Sequence, residues 1–165
     1  MSDTTKLLRG LVAGAIAGAV ASFVMDRFQA TVSALTTGDD DGGERTEPAT
    51  EKAADAIAEQ VAGREIADAN KPLAGQSIHY ALGIGLGIAY GIVAEFRPAV
   101  TAGYGTGFGV ATATILDEAL VPAVGLGAAP WNTDLSVNLY SYASHLVFGA
   151  TSELVRRQVA ATLTA

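Results

Sequence analysis

The chain has 165 residues, half of them hydrophobic and only 16% charged, with 19 glycines, no cysteine and a formal net charge of −7. Missing cysteines exclude disulfides, thiolate metal sites and cysteine-ligated iron–sulfur clusters. The charged fraction is well below the quarter or so of ordinary soluble domains, and no basic stripe offers itself to a nucleic acid.

The length suits a single domain, residues 1–165, and the apolar runs predict an all-α integral membrane four-helix bundle. Span one covers about residues 7–30. Lys6 and Arg9 precede its apolar run in the charge order of a signal peptide. No small-x-small cleavage site leads into a soluble segment, so it reads as a retained helix. Gly10, Gly14 and Gly18 recur every four residues, a spacing that lets a neighbouring helix approach closely. Asp26 and Arg27 close the span.

Residues 36–71 form the only long polar segment, and eleven acids fall between Asp26 and Asp68. The run Gly38 to Glu44 reads as a solvated loop, because its acids lack the spacing of a calcium loop. From Pro48 to Gly63 the pattern is that of a short amphipathic helix, proline in the first turn and glycine at the stop. It is expected outside the membrane, along the surface or across the bundle mouth.

Span two covers residues 72–94 and span three residues 98–121. Only Glu95-Phe96-Arg97 separates them, which predicts antiparallel neighbours. Asp117 and Glu118 close span three. A Gly/Pro-rich turn with Trp131 leads to span four, residues 135–157, which ends in Arg156-Arg157. Each span suits a hydrocarbon core of about 30 Å. Lys6, Arg9, Arg97, Arg156 and Arg157 fall on one side and five other cations on the opposite side, mostly in the acid-rich loop. Basic residues in short flanks count most, so both termini are expected in the cytoplasm of an inner (plasma) membrane protein.

The chain has only two histidines, and each lies inside an apolar run. On that topology His79 lies ~10 Å along span two and His145 ~15 Å along span four, both in the outer half of the bilayer. Asp26, Asp117 and Glu118 fall at the same end. Gly83 and Gly149 follow the histidines at i+4. Three readings stay open. His79 and His145 could ligate the iron of a haem b, with Gly83 and Gly149 admitting the macrocycle, in an electron-transfer protein with a redox partner. The histidines with Asp26, Asp117 and Glu118 could handle protons or ions. Or the imidazoles hold helices together, or serve a partner. Zinc would need further ligands such as Asp117 or Glu118. Outward glycine ridges suit a homodimer in the lipid bilayer. No nucleophile–base pairing or phosphate loop argues for an enzyme.

The second half also resembles a known family. His145-Leu146-Val147-Phe148 with Glu153-Leu154-Val155-Arg156-Arg157, and His79 with Tyr90-Gly91 and Ala94-Glu95, are similar to blocks of the YagU-like family (DUF1440) of bacterial inner-membrane proteins. Gly125-Leu126 and Pro130 resemble its extracytoplasmic turn. The resemblance implies an inner-membrane protein with a link to acid resistance. It marks His79, Glu95, His145 and Glu153 as polar positions without giving any of them a role. For Glu153 the arginines at i+3 and i+4 suggest a helix-end ion pair, and Arg97 offers Glu95 the same.

Overall fold

The computed structural model describes residues 1–36 and 47–164, so the acidic run Gly38 to Glu44 lies outside the described residues. Among the described residues every regular element is a helix. Helix α1 (Asp3–Thr36) runs on past the expected end of span one. Helix α2 (Ala49–Ala62) starts at Pro48 and stops at Gly63, whose left-handed φ of 65° a residue with a Cβ rarely adopts. Helix α3 (Lys71–Phe96) carries span two.

Span three differs from expectation. Pro98–Thr101 form a 3₁₀ turn, and Gly103, Tyr104 and Gly105 all have positive φ. Helix α4 (Thr106–Thr112) therefore begins eight residues after Pro98, once the left-handed turn is complete. It continues without a break into a π-helix (Ala113–Leu120) and a last turn, α5 (Val121–Ala123). Helix α6 (Leu135–Thr162) closes the chain. Two of these helical stretches, Asp3–Thr36 and Asp68–Phe96, are long and apolar enough to cross a membrane. The segment from Thr106 is short, and Asp117 and Glu118 lower its hydropathy. Helix α6 is long enough, but its serines, Asn138, His145, Glu153 and two arginines lower its hydropathy.

Glycines decide which helices touch. On α1 and α3, Gly10 faces Gly91, Gly14 faces Gly87 and Gly18 faces Gly83, so the two helices run antiparallel with backbone against backbone. A Cβ on Gly10 would sit 2.7 Å from the Gly91 carbonyl oxygen, and one on Gly91 2.8 Å from the Gly14 Cα. A second pair repeats the device. Gly105 and Gly109 of the α4 segment meet α6 at Gly149 and at the His145 carbonyl. Helix α1 joins the pairs, with Ala21 and Met25 packed on Phe148 of α6. The expected α3–α4 neighbourhood is thus not a backbone contact. α4 turns its glycines to α6, and meets α3 through the stacked rings of Tyr90 and Phe108, 4.2 Å apart.

Helix α2 packs on the N-terminal part of α3 through Ala54, with Glu51 lying over Gly75. Lys71 at the head of α3 ties it down. Its Nζ is 2.6 Å from Asp55, 3.0 Å from Glu47 and 3.7 Å from Asp68. Asp55 also accepts the Ile66 N–H. The hydrogen bonds from Lys71 and then from Ile66 hold the Asp55 carboxyl below its ordinary value. A carboxyl with a depressed folded pKa contributes stability that is present above its unfolded value and lost as pH falls through the folded one. Docking of α2 is therefore expected to hold above about pH 4 and to weaken progressively in stronger acid. Amide hydrogen exchange across α2 would show it, and unchanged protection down to pH 2 would contradict it.

Candidate functional site

The antiparallel packing gathers polar residues at two ends of the bundle. At the end formed by the C-terminal half of α1, the start of α3, the π-helix and the start of α6, each histidine meets a carboxylate from a different helix. His79 Nε2 on α3 lies 3.1 Å from Asp26 Oδ1 on α1, outside hydrogen-bond geometry, a contact that becomes an ion pair when the imidazole is protonated. Gln76, one turn before His79, donates its Nε2 amide to the other Asp26 oxygen at 2.7 Å. His145 Nδ1 on α6 lies 3.5 Å from Asp117 Oδ2 and 3.0 Å from the Ser141 carbonyl. The second contact needs the proton on Nδ1. The Ser141 hydroxyl donates to the same Asp117 oxygen.

Asp117 lies in the π-helix, where the wider i→i+5 turn changes the direction of each following side chain. The π-turns thus bring Asp117 across to Ser141 and His145. Glu118, next to it, is half-buried and belongs to neither pair. Among the described residues no hydrogen bond, ion pair or ring contact joins the two histidines. Gly83 and Gly149, expected to admit a flat group, are where helices touch. Gly83 lies under the Ser22 hydroxyl, and a Cβ on Gly149 would sit 2.6 Å from the Gly109 nitrogen. No group of three or more ligating side chains able to hold a metal ion occurs among the described residues.

The opposite end holds one cluster where the sequence predicts two separate helix-end pairs. Glu153, 1% exposed, accepts Arg156 Nε at 2.7 Å, Arg156 Nη2 at 2.9 Å and the Tyr90 hydroxyl at 2.8 Å. Arg157 approaches it at 3.4 Å. Glu95 accepts Arg9 Nε at 3.0 Å and lies 3.9 Å from Arg156. One continuous network thus ties α1, α3 and α6 together. Only its i+3 and i+4 members were readable locally, because Arg9 and Glu95 are 86 residues apart. Arg97, offered to Glu95 by adjacency, points to solvent instead.

This is a helical protein with close glycine-mediated helix pairs, two histidine–carboxylate contacts at one end and a buried arginine–glutamate network at the other. A family model described as "Protein of unknown function (DUF1440)" matches residues 55–154, a stretch that holds both histidines and both network glutamates. The chain belongs to that family. No curated protein and no solved structure matches it.

Proposed function

We propose that the chain is a four-span membrane protein with both termini in the cytoplasm, and that its histidine–carboxylate pairs handle protons. Its inverted packing supports the membrane reading. The buried apolar residues are mostly Ala and Gly, with Met25, Tyr90 and Phe148 the large exceptions, while Leu7, Leu11, Ile16, Phe23, Leu82 and Leu146 face outward. Water would expel such a surface, whereas lipid accepts it and small residues let the helices close. The topology places Lys6, Arg9, Arg97, Arg156 and Arg157 at one end, as the positive-inside rule asks of the cytoplasmic face.

The observation that carries the proton reading is that both histidines, the only two in the chain, contact a carboxylate across a helix boundary. Histidine is the side chain that takes up and gives up a proton near neutral pH, and ionisable groups within spans are costly unless used. Each pair can pass a proton between imidazole and carboxylate, and protonation of an imidazole turns its contact into an ion pair that tightens α1 on α3, or α6 on the π-helix. Liposomes containing the protein are expected to dissipate an imposed pH gradient faster than empty ones, and His79→Ala and His145→Ala to remove most of the difference. Tight liposomes under gradients of both signs would overturn this reading.

The glycine contacts favour a second one, in which the same pairs only fasten helices and the protein supports a partner. A haem b held by His79 and His145 is the reading this packing supports least. His79 Nε2, the atom a haem iron would take, faces Asp26, and both glycines are covered. A Soret band in the purified protein, lost in both histidine variants, would restore it.

A further inference from the structure

We infer that the arginine-rich end of the bundle is a docking surface for anionic phospholipid headgroups, built from Lys6, Arg97 and Arg157 with the aromatic rings beside them. The inference rests on the membrane reading above and names the lipid class that this end selects.

That end carries five cationic side chains, Lys6, Arg9, Arg97, Arg156 and Arg157, against three acids, Asp3, Glu95 and Glu153. The buried network divides them. Glu95 and Glu153 are consumed by Arg9 and Arg156, side chains that are themselves at least three-quarters buried. What remains outside, Lys6, Arg97 and Arg157 against Asp3, is net cationic. Arg157 is 57% exposed, and its one acidic contact among the described residues is Glu153 at 3.4 Å. Arg97 is exposed and has no partner among the described residues. Among the described residues the acid beside Lys6 is the surface Asp3, 3.8 Å away, a kind of pair that contributes little.

Two exposed rings stand under two of these cations. Lys6 Nζ lies 5.8 Å from the centre of Phe96, and the Arg157 guanidinium 5.5 Å from that of Tyr104. One pair sits on the α1–α3 seam and the other on the α4–α6 seam, so they flank the network on two sides. Tyr104 is 73% exposed, and its φ of 53° is a backbone conformation that non-glycine residues seldom adopt. That turn holds the ring outward, under Arg157. An aromatic ring with a cation above it suits the headgroup level, where the ring meets acyl chain and the cation meets phosphate. The other end could not take the same lipid. Its described acids include Asp26, Glu51, Asp55, Glu59, Asp117 and Glu118, and they outnumber its cations.

The test is native mass spectrometry of the full chain, released from micelles that contain equimolar phosphatidylglycerol and phosphatidylcholine. The wild type is expected to retain the anionic lipid at least fivefold over the zwitterionic one, since one basic residue at a charged lipid surface is worth about that factor. The variant Lys6→Gln/Arg97→Gln/Arg157→Gln leaves Arg9 and Arg156 in place, and its ratio is expected to fall to about one. Tyr104→Ala alone is expected to reduce it partly. Equal retention of the two lipids by the wild type overturns the inference while leaving the membrane reading intact, and so does a preference that survives in the triple variant. Retention of neither lipid overturns both.

Discussion

Glu153→Ala is expected to be among the most damaging single substitutions in the chain, lowering the unfolding free energy by about 3–5 kcal/mol, the range for removing one partner of a buried ion pair. The side chain is almost wholly enclosed, and four groups converge on it. Its loss leaves Arg156 buried with Glu95, at 3.9 Å, as its only remaining carboxylate among the described residues. The Tyr90 hydroxyl loses its acceptor in a place that water does not reach. Removing both charges costs less than the two single losses together, because no unpaired charge then remains. Glu153→Ala/Arg156→Ala should therefore be less destabilised than the sum of Glu153→Ala and Arg156→Ala, a coupling that a double-mutant cycle reads directly. Glu118→Gln is the internal control and should change stability by less than about 0.5 kcal/mol. Equilibrium unfolding in mixed detergent micelles is the measurement. A loss below about 1 kcal/mol for Glu153→Ala would mean that the network does not hold the three helices.

How much of this was legible in the sequence depends on whether the signal was local. Apolar runs and their Gly/Pro punctuation marked the helices, and Pro48 and Gly63 bounded α2 to within a residue. The four-residue glycine spacing on α1 signalled a close helix contact, though not its partner. The matching ridge on α3, Gly83, Gly87 and Gly91, is equally legible, but beside His79 the sequence leaves Gly83 open between room for a flat group and room for another helix. Nothing in a single sequence says which face of a glycine-rich helix another backbone will occupy. Helix α4 starts later than the apolar run predicts, because that run continues through 98–105, where the backbone forms a 3₁₀ turn and then a left-handed one. The π-helix left no mark in composition or spacing. Depth along the spans puts Asp26 and Asp117 at the histidine end, and the fold pairs each with its own histidine. The arginine–glutamate network joins residues from both ends of the chain, and only the antiparallel fold makes them neighbours.

The other large effect should come from a single methyl group, and its position should matter more than its size. Gly85 and Gly87 are two residues apart on α3. A Cβ on Gly85 meets nothing within 4 Å, whereas one on Gly87 would sit 2.7 Å from the Gly18 Cα and nearer still to the Gly14 carbonyl. Carbon atoms need about 3.5–4.0 Å, so Gly87→Ala forces α1 and α3 apart by about 1 Å, and backbone cannot swing aside as a flexible side chain would. The Gly10–Gly91 and Gly18–Gly83 contacts share the same two axes and open with it. The expected cost is about 3 kcal/mol, the upper part of the range for overpacking. Gly85→Ala should instead gain about 0.5–1 kcal/mol, because alanine loses less backbone freedom in a helix than glycine does. The separation should also reach the site. Gly83 lies one turn from His79, so moving α3 away from α1 lengthens the Asp26–His79 contact, and Gly87→Ala should depress proton flux in liposomes as well as stability. If the two alanine variants unfold alike, the helices do not meet at these glycines. If Gly87→Ala is unstable yet conducts protons normally, then the Asp26–His79 contact is a fastening and not part of the proton site.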